Sequence, residues 1–452
     1  MEEEEYLNNG YIRDNDGFMH YIQNQPTINI GMLGHVSNGK TTIVNHLAQT
    51  DTKRFKSEQE GNKTIKLGYA NTKLWKCAGC DEPVCYQSSS SNIMELNCKY
   101  CCEPCELKKH ISFVDCPGHN TLMATMMNGT SVMDSTIIIE SASNNTIPAP
   151  QTSEHLIAAM IMELSTTCAC FNKADLVNKE TLLNKIGNFQ EYLTTMENRL
   201  PIIPMSANFG INTDILIQHL VNLPDPERDI LSSVRMIIIR SFNVNRKQNI
   251  PIDQLVGGVV GGSLLRGTLY ENDTVTILPG MIIKNNDEQR FSYRPIISNV
   301  VSMKSEKNTI DKCIPGGLIA IQLTIDPAFT TQDGLVGNML FVGNKKNKYK
   351  VYETLEIKYN MLNHDVFDPT NKDKELYRLH VNDTLIINCN SRDLQCRITS
   401  KSGSKKRVTV ELNSPICAKT GDKIAISKKV SNSPKLIGQG TIKGGVESIQ
   451  LG

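Results

Sequence analysis

A chain of 452 residues has room for about three domains. With 39% hydrophobic residues and no uninterrupted apolar run near ~18 residues, it has no helical membrane span in its sequence. Its 48 basic and 47 acidic residues leave a formal charge of +1, which by itself argues against a nucleic-acid partner.

The distribution of charge is more telling. Residues 346–452 carry 19 Lys+Arg against 11 Asp+Glu, a balance of +8, whereas residues 1–345 carry 29 against 36, or −7. A basic C-terminal module on an acidic body suits an RNA backbone, and Arg397, Lys401, Lys405, Lys406 and Arg407 form its densest cluster. A solvated strand edge kept soluble by lysines fits any one of them equally well.

In chain order, Met1-Glu-Glu-Glu-Glu5 has neither the basic nor the apolar stretch of an export signal, so a cytoplasmic, reducing location is expected. Residues 1–25 are acidic and aperiodic and read as a disordered tail, in which Tyr11, Ile12, Phe18, Tyr21 and Ile22 offer local packing. Next, the apolar run Ile28–Leu33 reads as a strand. It leads through Gly34-His-Val-Ser-Asn-Gly39-Lys40-Thr41 into a helical stretch ending near Ala48. Strand, glycine-bounded loop and helix N-terminus together make a phosphate cradle. The backbone N–H groups of His35, Val36, Ser37, Asn38, Gly39 and Lys40 are expected to converge on a β-phosphate, with Thr42 following. The Lys40 ammonium would bridge the β- and γ-phosphates, and the Thr41 hydroxyl would ligate Mg²⁺.

Asp115 ends a second strand-like run, Ile111–Val114, and is placed to hold Mg²⁺ through water. At Gly118 the bare backbone lets an N–H approach a γ-phosphate. Asn172, Lys173 and Asp175 follow a third apolar run, Thr167–Phe171. A carboxylate at 175 accepts from the N1–H and N2 amino group of guanine, a donor pair that adenine lacks. Asn172 would tie loops together, and Ser206 and Ala207 would support the base after a strand at Pro201–Pro204. With Thr64, these motifs in this order describe a guanine-nucleotide switch.

Seven of the fourteen cysteines fall between Cys77 and Cys105. Cys77-x₂-Cys80 and Cys98-x₂-Cys101 have the spacing of a four-thiolate zinc knuckle, and Cys102 with Cys105 is a rival second pair. Such a site is structural, because four thiolates leave no open coordination position. Cys116, Cys168 and Cys170 sit in strand-like runs and read as core residues. Past a linker at Asn222–Arg228, short β-type runs and Gly-rich turns such as Gly257-Gly-Val-Val-Gly-Gly262 indicate antiparallel barrels, with a second boundary near Gly343–Lys348.

These residues resemble the translational GTPases. The segment Arg54–Asn71, containing Asn62, Thr64 and Tyr69, is similar to the first switch of the gamma-subunit family of eukaryotic and archaeal translation initiation factor 2. Further matches are Asp115-Cys-Pro-Gly-His119, Gln151-Thr-Ser-Glu-His155, Gly257–Ser263 and Pro315–Leu318. The resemblance runs from about residue 26 to about residue 445. It departs at Ser37-Asn38, where this family usually has Ala or Asp followed by His, and at Asn120, where an acidic residue is usual.

The resemblance implies an α/β P-loop GTPase domain with a mostly parallel sheet over 26–228, carrying the Cys-rich insert at 77–105. Two antiparallel β-barrel domains would follow over 229–345 and 346–452. It implies GTP/GDP and Mg²⁺ (held through Thr41, Thr64 and Asp115) as ligands, zinc in the insert, and His119, Lys40 and Gly118 as the catalytic set. His119 stands where the attacking water is oriented, and hydrolysis is expected to be slow without a partner. The implied cargo is initiator methionyl-tRNA, contacted by Tyr69, Asn62, Gly257 and Gly258. The implied partners are alpha and beta subunits of the same factor, the small ribosomal subunit, a GTPase-activating factor and a nucleotide exchange factor, with no membrane. Two alternatives share the domain plan: an elongation-type aminoacyl-tRNA carrier, and the GTPase subunit of a sulfate adenylyltransferase.

Overall fold

The computed structural model describes residues 21–50, 67–119, 123–245, 255–285, 290–343, 348–362, 377–430 and 433–451. Of the sequence expectations, the tail through His20, the first-switch residues Asn62 and Thr64, and Asn120 lie outside the described residues. One compact unit runs to Arg228 and includes Ser305–Ile310 and Gly316–Leu318. The other comprises Asp229–Lys304, Asp311–Pro315 and Ile319–Gly452. No helix among the described residues is long and apolar enough to cross a membrane.

The first unit is built on seven strands: β1 (Ile28–Leu33), β2 (Gly68–Cys77), β3 (Tyr86–Ser90), β4 (Cys105–Asp115), β5 (Ser135–Ser141), β6 (Ser165–Asn172) and β7 (Ile202–Pro204), in the order β3-β2-β4-β1-β5-β6-β7. The five strands from β4 to β7 in that order pair in parallel. β2 and β3 are antiparallel additions beside β4. Every residue of β1 and of β5 is buried, as a parallel strand covered on both faces demands, which suits the largely apolar β1 and the Ile137–Ile139 centre of β5, while the polar ends of β5 are buried with them.

Helix α1 (Lys40–Ala48) contributes Ile43, Val44 and Leu47 to the core formed by Ile30, Met32, Phe113, Ile137 and Ile139. Two more helices, α2 (Met123–Thr130) and α3 (Pro150–Ile161), bury Met126 and Leu156 respectively. In α4 (Lys179–Thr195), Phe189 meets Phe171 edge to face with ring centroids 5.4 Å apart. The last helix, α5 (Thr213–Val221), adds Leu216, Ile217 and Leu220 to the same core as α1. This winding brings the carboxyl ends of β1, β4, β5, β6 and β7 to one edge, and the crevice outside such an edge is where open α/β sheets bind ligands.

The second unit holds two antiparallel six-strand barrels. In the first, Thr274–Asn285, Met339–Val342, Arg235–Phe242, Val259–Arg266, Ile319–Leu323 and Arg290–Ser305 pair in that order, and the ring closes between the last and the first. The second barrel runs Lys350–Met361, Arg407–Ala418, Arg392–Ser402, Thr384–Cys389, Lys423–Val430 and Ser433–Gly444. Its strands alternate, Arg392–Ser402 burying Leu394, Cys396 and Ile398 and exposing the residues between. Arg290 donates to Glu353 at 2.9 Å and Ser391 Oγ to the Ile238 carbonyl at 2.6 Å, linking the two barrels.

Packing explains the glycine pair at the start of Val259–Arg266. A Cβ at Gly257 would lie 1.8 Å from the Leu323 carbonyl oxygen, and one at Gly258 would lie 2.5 Å from Thr330 Cγ2. Gly257→Ala is therefore expected to destabilise the barrel by about 1–3 kcal/mol, because the obstacle is backbone rather than a movable side chain. Chemical denaturation measures this, and an unchanged midpoint would remove the packing explanation.

Candidate functional site

The crevice begins where β1 ends. Gly39 caps α1 with φ +92° and ψ 25°, a left-handed conformation that disfavours a side chain, and a Cβ there would lie 2.2 Å from Asn172 Nδ2. The loop thus turns sharply enough for α1 to aim its N-terminus into the crevice. Inside the turn, the Lys40 ammonium donates to the carbonyls of Gly34 at 2.8 Å and His35 at 2.9 Å. Lys40 is buried, and burial lowers its pKa to about 8 against the opposing pull of Asp115.

Beside Lys40, the Thr41 hydroxyl donates to Asp115 Oδ2 at 2.6 Å. The helix start and the end of β4, distant in sequence, therefore place a hydroxyl and a carboxylate, both hard oxygen donors of the kind Mg²⁺ prefers, side by side. Gly118 lies directly against this loop: a Cβ there would be 2.5 Å from Lys40 Nζ and 2.7 Å from the Val36 nitrogen. His119 is exposed, and in the loop itself the pKa of His35 is lowered mainly by burial, against the opposing pull of Glu140.

Not all the loop N–H groups point the same way. The His35 N–H donates to Thr152 Oγ1 at 3.2 Å, the Gly34 N–H to His155 Nδ1 at 2.9 Å, and the Asn38 N–H to the His35 carbonyl at 3.3 Å. The expected convergence of all six groups from 35 to 40 is thus narrowed, because α3 claims the His35 N–H and the turn itself claims that of Asn38. His155 is held neutral by burial, its pKa lowered to about 3, so its Nδ1 accepts from the loop.

Asn172 joins the Gly34–Thr41 loop to the loop after β7. Its Nδ2 donates to the Asn38 carbonyl at 2.9 Å, and its Oδ1 accepts from the Ala207 N–H at 3.0 Å. Lys173 follows in a left-handed conformation (φ +61°), which turns the chain so that Asp175 stands exposed at the rim. Ser206 and Ala207 are buried under this rim, Ser206 bridging to Ile211.

Four side chains that the motifs did not assign complete the loop's surroundings. Asn38 Nδ2 donates to the Ile139 carbonyl at 2.8 Å and to Glu140 Oε1 at 3.3 Å. Asn38 Oδ1 accepts from Asn144 Nδ2 at 3.0 Å. Thr152 and His155 reach in from α3. A charged residue closing the apolar run Ile137-Ile-Ile-Glu140 and the matched string Gln151–His155 were the available signals. Neither gave a role, because the partners are 100 or more residues away in sequence.

In the insert, the sulfurs of Cys77, Cys80, Cys98 and Cys101 all lie within 4.8 Å of one another, with Cys77–Cys101 at 3.3 Å and Cys80–Cys98 at 3.7 Å. A tetrahedral zinc ion about 2.3 Å from each sulfur sets them roughly 3.8 Å apart, so the donor set fits that ion. The Gly79 N–H donates to Cys77 Sγ, and Gln87 Nε2 and the Tyr100 N–H donate to Cys98 Sγ. Backbone hydrogen bonds from Cys101 and Tyr100 lower the pKa of the Cys98 thiol, while the hydrogen bond with Cys101 raises that of Cys80. Cys102 and Cys105 lie outside the cluster. Cys102 occupies a left-handed turn at φ +64°, and Cys105 is a strand residue paired with Cys77, its thiol pushed up to about 11 by burial. Cys116, Cys168 and Cys170 are fully buried.

Residues 25–226 match the family model described as the Elongation factor Tu GTP binding domain, and residues 353–442 match Initiation factor eIF2 gamma, C terminal. Eukaryotic translation initiation factor 2 subunit gamma of Encephalitozoon cuniculi is 40% identical over 94% of this chain and 94% of its own length. The same-named subunit of Schizosaccharomyces pombe is 40% identical over 92% of this chain and 94% of its length. Subunit 3 of the Drosophila melanogaster factor is 40% identical over 94% and 90%. Among solved structures, a bacterial selenocysteine-specific elongation factor superposes with a TM-score of 0.65 at 19% identity, covering 92% of this chain and 58% of that one. Elongation factor SelB of Methanococcus maripaludis, in complex with a GTP analogue, superposes with a TM-score of 0.64 at 19% identity, covering 93% and 80%. At that identity the two structures share a fold with this chain.

Proposed function

The chain belongs to the gamma-subunit family of eukaryotic translation initiation factor 2, translational GTPases of initiation, and from that premise we propose that it carries initiator methionyl-tRNA to the small ribosomal subunit in its GTP state and releases it after hydrolysis. The observation that carries the nucleotide half of this reading is Asn172, which bonds the Asn38 carbonyl on the phosphate side and the Ala207 N–H on the base side. One nucleotide spanning both halves is the ligand that such a bridge fits.

Within that reading, Lys40 and the N–H groups of Val36, Ser37, Gly39 and Lys40 cradle the phosphates, with Thr42 in the first turn of α1. Thr41 and Asp115, with Thr64, hold magnesium, which when bound offsets the phosphate charge. Asp175 reads guanine, with Lys173 shaping the rim and Ser206 and Ala207 supporting the base. Gly118 and Thr64 sense the γ-phosphate, so that both switch segments relax when it is lost. Cys77, Cys80, Cys98 and Cys101 hold structural zinc, which pins the far ends of β2 and β4.

Tyr69 is half-buried at the start of β2, near the end of the segment that resembles the first switch, where an aromatic face can stack on a terminal adenine. Asn62, Gly257 and Gly258 complete the proposed contacts to the tRNA end. For the two glycines packing alone accounts for the residue type, and their tRNA role rests on the family resemblance. In the C-terminal module, Lys405 and Lys406 are exposed in a turn, whereas Arg407 is paired with Glu356 at 2.8 Å. The two lysines are the better candidates for an RNA backbone. The remaining proposed partners are the alpha and beta subunits of the same factor, an activating factor and an exchange factor.

The test is equilibrium binding of methionyl initiator tRNA, with elongator methionyl-tRNA and uncharged initiator as competitors, to the chain loaded with a non-hydrolysable GTP analogue or with GDP. Tight binding of the charged initiator only in the GTP-analogue state supports the carrier. Equal binding of elongator points to an elongation-type carrier, and no binding in either state with the partner subunits present overturns it. For hydrolysis, His119→Ala is expected to lower activated turnover by about 10²–10³-fold while leaving GDP and GTP affinities within about threefold, since the imidazole acts on water and not on the ground-state nucleotide. Single-turnover hydrolysis alongside equilibrium binding separates these two effects.

A further inference from the structure

Glu140 is a fully buried carboxylate at the carboxyl end of β5, behind the phosphate loop. A buried charge needs several hydrogen bonds to be tolerated, and this one has them. Its Oε1 accepts from Asn38 Nδ2 at 3.3 Å, from Asn144 Nδ2 and from the Ser141 N–H at 3.0 Å. Its Oε2 accepts from the Ala149 N–H at 3.1 Å. Asn38 is itself 1% exposed and has both ends of its amide engaged, Nδ2 with Ile139 and Glu140 and Oδ1 with Asn144. Asn144 is fixed in turn by Lys185 of α4, whose ammonium donates to the Ala142 and Asn144 carbonyls, each at 2.7 Å. The Ala142 N–H closes the circuit by donating to the Asn172 carbonyl at 2.9 Å.

We infer that Glu140 is a positioning residue for nucleotide retention, a latch that through Asn38 and Asn144 holds the phosphate loop and through Asn172 keeps the guanine-reading rim in register with it. The reasoning is geometric. Asn38 is the residue whose backbone carbonyl accepts from Asn172 and whose side-chain amide donates to Glu140, so one residue's placement sets the distance between the phosphate and base subsites. A pre-set separation lowers the ordering cost of binding a ligand that touches both subsites. The Ser37-Asn38 departure from the usual family sequence falls on this residue, and in this chain its side chain bonds Glu140 and Asn144 as well as the Ile139 carbonyl.

The inference rests on the guanine-nucleotide reading of the crevice. It is tested with the full chain by stopped-flow dissociation of fluorescent GDP and of its hypoxanthine counterpart, IDP, which lacks the 2-amino group that Asp175 is proposed to read. Glu140→Ala is expected to speed GDP release at least about tenfold and to narrow the GDP-over-IDP preference, because loss of a buried charge-assisted network disturbs both subsites. Glu140→Gln keeps an acceptor oxygen toward Asn38, Asn144 and Ser141 but sets its amide Nε2 against the Ala149 N–H, and is expected to release GDP at a rate between those of wild type and Glu140→Ala. Asn38→Ala combined with Glu140→Ala is expected to be no worse than either alone, as for residues acting as one unit.

Asn144→Ala, at a half-buried loop position, tests the same link if Glu140→Ala does not fold, with the same direction and a smaller effect. Unchanged GDP release in Glu140→Ala and Asn144→Ala, equal losses for GDP and IDP, or simple additivity each overturns the latch while leaving the nucleotide site intact. A wild-type chain that retains neither nucleotide overturns the reading beneath it.

Discussion

Asp175→Asn is expected to change the base preference from guanine to xanthine, with GDP affinity falling by about 100-fold or more and a measurable affinity for xanthosine diphosphate appearing. A carboxylate at 175 only accepts, which suits the N1–H and N2 amino donors of guanine. An asparagine amide accepts N1–H through its oxygen and, through its nitrogen, donates to the C2 carbonyl that xanthine carries in place of the amino group. The cost to guanine is that of facing one donor with another and of losing a charge-assisted pair, roughly 3 kcal/mol. Because Asp175 is exposed at the rim and takes no part in the Asn172 bridge, the substitution should leave folding unchanged. Equilibrium titration of both nucleotides is the measurement. A loss of GDP binding without any gain for the xanthine nucleotide would mean that residue 175 holds the rim and does not read the base.

The second large effect is expected at the cysteine insert. Cys80→Ser and Cys101→Ser should each reduce bound zinc from about one ion per chain to near zero, whereas Cys102→Ser and Cys105→Ser should leave it in place. Elemental analysis of the purified chain decides between them, and loss of zinc in Cys102→Ser would transfer the site to the rival pair. Because Cys77 and Cys98 are also buried members of the core, releasing the ion frees both sides of the insert at once. Amide protection across residues 77–105 is then expected to fall by about 100-fold or more, equivalent to roughly 3 kcal/mol of local stability, while the nucleotide crevice at the other end of β4 keeps its protection. Uniform loss of protection over the whole unit would show that the insert and the sheet unfold together.

Much of this molecule is legible from the chain alone, and the reason is local. A phosphate loop needs a strand, a glycine with positive φ and a helix start within about fifteen residues, and Ile28–Ala48 contains all three in order. Paired cysteines two apart turn tightly enough to present two sulfurs. The choice of Cys98 and Cys101 over Cys102 and Cys105, however, depends on the strand register that assigns Cys105 to β4 opposite Cys77. Alternation along Arg392–Ser402 marks a half-buried barrel strand, yet closure of each barrel depends on pairings between segments that no local pattern specifies.

The sequence by itself determined which chemical groups the crevice contains, because hydrogen-bonding capacity and backbone permissiveness belong to each residue wherever it stands. Only the tertiary structure decided which of those groups meet. The Thr41 hydroxyl finds Asp115 across 74 positions, Asn172 reaches Asn38 across 134, and Glu140 becomes an anchor for the phosphate loop across 102. Those meetings are set by strand order and register, which bring the ends of five separate strands to one edge of the sheet. Strand order follows from the global burial of apolar faces, to which every segment contributes and which none encodes alone.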